Sequence, residues 1–182
     1  AFYRSLGQQT IFLSRRWQTT SQGLPRFEAL TGMIYAGLSL EGMEEHVEPA
    51  VTALARDCGR EIDDTGGIAT RNPEELLEVL TLLIWATEAL KETDRQPPAA
   101  ILTAIARIAP TLRSLRHSDG SLARFHGGGR GLDGRLDHAL AAAGDKTRAT
   151  EGPHMGFARM SAGRTSMVVD AAPPPKGPSS VN

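Results

Sequence analysis

Apolar residues recur every three to four positions through the first 116 residues, and the interruptions fall at glycine and proline. That spacing gathers one side of each segment onto a single helical face, so the chain is predicted to fold mainly as helices in series. Phe27, Leu30, Ile34 and Leu38 form one stripe behind Pro25. Val47, Val51, Leu54 and Cys58 form a second, expected to end near Gly59. The third has the strongest start signal. Asn72 offers an N-cap oxygen, Pro73 stands where a helix needs no N–H, and Glu74 and Glu75 sit where the helix dipole favours acids. Leu76, Leu77, Leu80, Leu83, Ile84 and Leu90 follow on its apolar side. Beyond Pro97-Pro98, the stripe Ile101, Leu102, Ile105, Ile108, Leu112 and Leu115 contains Pro110, which is expected to kink or end it. Short Gly/Pro turns between helices of similar length predict antiparallel helical hairpins.

The chain has 182 residues, room for one domain or for one domain and part of the next. At 40% hydrophobic and 23% charged residues it can build a core, which excludes wholesale disorder. No apolar run approaches the roughly 18 residues of a membrane span, so no membrane insertion is expected. A single cysteine, Cys58, excludes an intramolecular disulfide and a cysteine-based zinc module. Charge is uneven: residues 1–110 carry 10 Lys+Arg against 15 Asp+Glu, and residues 111–182 carry 10 against 6. The periodic pattern is already running at Leu6, Ile11, Phe12 and Leu13, and the other end runs into Pro173-Pro174-Pro175. The chain is therefore expected to be a fragment of a longer protein.

After residue 116 the texture changes. His117-Ser118-Asp119-Gly120 reads as a turn, Ser121 to Phe125 as a short strand, His126 to Gly131 as a glycine-rich loop, and Leu132 to Ala143 as a short helix. Residues 144–154 read as a polar linker. Met155 to Met160 and Thr165 to Asp170 read as a hairpin around Ala162-Gly163. The expected organisation is a helical domain over 1–143, including the strand and loop of 117–131, then the linker, then the start of a β region over 155–182.

Little in the sequence carries chemistry outright. The Gly127 to Gly131 loop lacks the lysine and spacing of a phosphate-binding loop, and a flexible turn explains it better. Its histidine and glycines resemble an esterase oxyanion loop, but no GxSxG elbow accompanies them. His117, Asp119 and His126 form the densest group of possible proton carriers, with Asp119 as a turn residue the bland alternative. Arg71 could meet a carboxylate or sulfate beside Asn72, whose capping task already explains it. His46, His138 and His154 lack partners at ligand spacing, so no metal is expected. Trp17 and Trp85 fall on helical apolar faces and are expected in the core. With 5% aromatic residues and no recognised module, no nucleic-acid partner is expected.

Several segments, in order, resemble the bacterial heparinase II/III-like family: Gly66-Gly67 through Arg71-Asn72-Pro73, Arg116 through Gly127, Gly156 through Thr165, and Val168 through Pro174. The resemblance implies the last helical hairpins of an incomplete (α/α) toroid, followed by the first strands of an antiparallel β-sandwich. It implies eliminative cleavage of a uronic-acid polysaccharide by a carbon-oxygen lyase in the full-length protein, without cofactor. Under that reading His117 and Asn72 are the catalytic candidates, and Arg71, Arg124 and His126 the substrate-binding ones. An acidic polysaccharide and the missing parts of the chain itself are the expected partners, and the cell envelope or periplasm the expected location. Active family members carry an Asn-His pair and a Tyr where this chain has Gly23-Leu24-Pro25-Arg26 and Glu75. The alternative is thus a non-catalytic glycan-binding or structural envelope protein on the same scaffold.

Overall fold

The computed structural model describes residues 2–129, 131–144 and 152–175. Among them, helices α1 (Phe2–Arg16), α2 (Leu24–Ser39), α3 (Val47–Glu61), α4 (Pro73–Glu92), α5 (Ala99–Ser114) and α6 (Arg135–Ala142) precede strands β1 (Phe157–Ala162) and β2 (Thr165–Asp170). The protein is mainly helical, with one small two-stranded antiparallel sheet.

Two compact units divide the chain. The first comprises Ala1–Glu61 and Thr81–Thr103, the second Ile62–Leu80 and Ala104–Asn182, so α4 and α5 each contribute to both. In the first unit, α2 packs on α1 and α3. Phe27, Leu30, Met33 and Ile34 of α2 and Val47, Leu54 and Cys58 of α3 are buried, and each such side chain contributes about 1.5–3 kcal/mol relative to exposure. Gly37 permits the close approach of α2 to Val47, because a Cβ there would lie 2.6 Å from a Val47 methyl. Asp57, 1% exposed, faces the Arg26 guanidinium at 3.9 Å, and Arg26 also donates to the carbonyls of Gln18 and Thr20.

In the second unit, Leu76, Leu80, Ile108, Leu112, Leu115, Leu122, Leu136 and Phe157 are buried. The loop before α4 is knotted by Asp63, whose Oδ1 accepts from the Thr65 amide and hydroxyl and from the Gly67 amide at 2.7–2.9 Å. Gly66, at φ +75°, lies flat on the backbone of α5, where a Cβ would come within 2.0 Å of the Arg107 carbonyl oxygen. β1 and β2 pair in register from Phe157 opposite Asp170 to Ala162 opposite Thr165, turning at Gly163, φ +58°.

The structure departs from expectation at four places. α3 runs two residues past Gly59 to Glu61, and α5 does not end at Pro110 but continues to Ser114, where the Thr111 hydroxyl braces the turn by donating to the Thr65 carbonyl. Ser121 to Phe125, expected as a strand, meets its neighbour at one bridge, Arg116 opposite Leu122. Trp85 is not in the core. It is 44% exposed, unlike Trp17. Most of the expected linker, residues 145–151, lies outside the described residues, as does Arg130.

Candidate functional site

The second unit converges on one carboxylate. Asp170 ends β2, where Oδ1 pairs with the Arg71 guanidinium and accepts from the Ala172 amide at 3.3 Å, while Oδ2 lies 2.9 Å from Nε2 of His126. The His126 approach lacks the alignment of a formed hydrogen bond, and its Nδ1 is buried without a partner. Burial pushes the Asp170 carboxyl up, but hydrogen bonds from Arg71 and Ala172 and the charges of Arg71 and His126 outweigh it and hold the group below the usual carboxylate range.

Arg71 reaches this point because its backbone turns back at φ +54° just before the helix cap. A non-glycine residue held there costs of order 1–3 kcal/mol and persists only when its surroundings over-determine it. They do here. Nε donates to the Met155 carbonyl at 3.0 Å, Nη1 to Pro173 at 2.6 Å and Ala172 at 3.4 Å, and Nη2 to Gly156 at 3.3 Å. The guanidinium also lies 4.9 Å from the Phe157 ring centroid, and Phe125 stacks on the same ring at 4.5 Å. Gly156, at φ +79°, is required by this crowding, since a Cβ would sit 2.8 Å from the guanidinium.

Next to this cluster, Asn72 Oδ1 accepts from the amides of Glu74 and Glu75 at 3.0 and 3.2 Å, which satisfies the first turn of α4. The glycine-rich loop packs on that turn: the Gly129 amide donates to Glu74, and a Cβ at Gly128 would meet Asn72 Oδ1 at 2.8 Å. A cleft of about 470 Å³ opens beside it, lined by Glu74, Arg116, Asp119, Arg124, Asp133 and Asp137 among others. Arg116 pairs with Asp137 at 2.7 Å across it. Asp119 Oδ1 accepts from the Ser121 hydroxyl and amide, which lowers its carboxyl, with a smaller contribution from His117.

The predicted site residues are thereby dispersed among tasks. Arg71 and His126 meet on Asp170; Asn72 caps α4 next to them; Arg124 is exposed at the cleft; and His117 sits half-buried in the turn that Asp119 and Ser121 close. Asp170 and Phe157, which organise the centre, carry in the sequence only a strand signal. The signal that could have marked Asp170 is an acid closing the apolar run Val168-Val169. No group of His, Cys, Asp and Glu able to hold a metal occurs among the described residues, and no described helix is long and apolar enough to cross a membrane.

No family model matches the chain, and no solved structure matches it. Comparison with curated proteins gives a relative 35% identical over 154 residues. The chain is similar to FtsZ-localized protein C of Caulobacter vibrioides. The match covers 84% of this chain and 26% of that protein, so the chain spans about a quarter of the relative's length. This finding overturns the heparinase II/III-like resemblance and, with it, the polysaccharide-lyase activity and its glycan-binding envelope alternative. It likewise replaces an acidic polysaccharide as partner and the envelope or periplasm as location. The residues that carried the resemblance have local explanations: Asn72-Pro73 is a helix start, Asp119 to Ser121 a turn, and Gly156 to Thr165 a hairpin.

Proposed function

We propose that this chain is a segment of a protein that works at FtsZ assemblies in cell division, on the cytoplasmic side, through contacts with other proteins. The observation that carries the reading is the 35% identity to FtsZ-localized protein C over 84% of the chain. The geometry fits a binding role, because Arg71, Asn72 and His126 serve as internal positioning groups. Arg124, exposed at the cleft, and His117, half-buried in the turn beside it, serve as contact residues.

The finer architecture belongs to the same proposal. Residues 1–143 form part of a larger layer of helical hairpins of the toroid type, 144–154 link it, and 155–182 open an antiparallel sandwich supplied by the longer protein. An isolated two-stranded ribbon is marginal in water, and this one gains support from the Arg71 contacts. The test is a fluorescent fusion of the full-length protein imaged beside labelled FtsZ. Coincidence with FtsZ assemblies is expected, and uniform fluorescence while FtsZ is assembled overturns the reading.

A further inference from the structure

The first unit exposes an aromatic pair that core packing does not use. Tyr35 of α2 is 39% exposed and donates its hydroxyl to the backbone carbonyl of Trp85 in α4 at 3.2 Å, which ties the Tyr35 side chain to the turn of α4 that carries the 44% exposed Trp85. Trp85, Glu88 and Glu92 share one face of α4 at helical spacing, and all three are exposed. Both carboxylates act on the Tyr35 hydroxyl: burial raises its pKa most, and Glu88 and then Glu92 raise it further. Lys91, three residues after Glu88, is exposed on the flank of that face, so the two carboxylates outnumber the single cation there. On α2 the exposed positions Glu28, Gly32 and Tyr35 share one face at helical spacing, and the space over Gly32 is open.

We propose that Tyr35, Trp85, Glu88 and Glu92 form a docking surface for a basic segment of a partner protein, one that presents arginine or lysine beside an apolar side chain. Charge complementarity selects the occupant. The ring faces attract a guanidinium or ammonium, the two carboxylates neutralise it, and the apolar side chain covers ring area left in water. The Tyr35 hydrogen bond orders that ring before binding, which lowers the entropy lost on association. An acidic partner would meet Glu88 and Glu92 with like charge and is disfavoured. The proposal does not rest on the FtsZ reading, and either can fail without the other.

The experiment uses two dye-labelled amphipathic peptides of the same length, one of arginine and leucine and one of glutamate and leucine, titrated into the purified chain and followed by anisotropy. The arginine peptide is expected to bind and the glutamate peptide not to. Replacing both carboxylates, E88Q with E92Q, is expected to weaken binding about tenfold, and W85A by a similar factor, while E44Q with E45Q, elsewhere on the first unit, leaves it unchanged. Helical content by circular dichroism confirms that each variant folds, and the paired glutamine variant keeps the test valid if W85A does not. Equal binding of the two peptides, equal weakening by the two glutamine pairs, or no binding of the arginine peptide overturns the proposal.

Discussion

Arg71 and Asp170, 99 residues apart in the chain, form an ion pair that fastens the β-ribbon to the loop before α4. The arginine is 8% exposed, and the same guanidinium takes the carbonyls of Met155, Gly156, Ala172 and Pro173. Arg71→Met removes the partner of a largely buried carboxylate and takes the guanidinium donor from the carbonyls of Met155, Ala172 and Pro173, while Gly156 keeps the Ala171 amide. A loss of about 3–4 kcal/mol is expected. Arg71→Lys should recover little of it, since an ammonium cannot reproduce the fork. Urea unfolding measures the loss, and faster amide exchange should be concentrated in residues 157–170.

Acid should release the ribbon by the same route. Asp170 titrates below the ordinary carboxylate range in the folded chain, so its stabilisation is fully present above the unfolded value of about 3.9 and is lost as pH falls through the lower folded value. Amide exchange in β1 and β2, followed below about pH 4, should accelerate in the wild type. Asp170→Asn should remove that part of the pH dependence.

Gly66→Ala is expected to cost more than about 2 kcal/mol, because φ +75° is strained for alanine and the new methyl would meet the α5 backbone, which cannot swing away as a side chain can. Gly32→Ala is the matched control: its Cβ meets open space, and within α2 it should stabilise by up to about 1 kcal/mol. Thermal melts of the two variants should shift in opposite directions.

Cys58 is 2% exposed, and burial together with the charge of Asp57 pushes its thiol up to about 12. The native thiol should therefore resist a disulfide reagent at neutral pH, and its modification should follow unfolding of the first unit. Rapid modification of the folded chain would contradict this packing.

What could be read from the sequence was local. Asn72-Pro73 announced α4 because cap, proline and acids lie within four residues, and Gly163 announced the hairpin between two short apolar runs. The centre of the second unit was illegible because Arg71, His126 and Asp170 are brought together by tertiary packing, with nothing in their spacing to announce it. Trp85 misled because helical periodicity reports a face without saying whether anything covers it. The family resemblance misled for a related reason: its pieces are a cap, a turn and a hairpin, which unrelated chains build from the same residues.

Co-sedimentation of the full-length protein with assembled FtsZ tests the central claim most directly. The protein should pellet with FtsZ polymers when FtsZ is assembled and stay in the supernatant when it is not, and deletion of residues 1–175 should reduce the pelleted fraction. A supernatant fraction that is the same with and without FtsZ polymers would contradict the account.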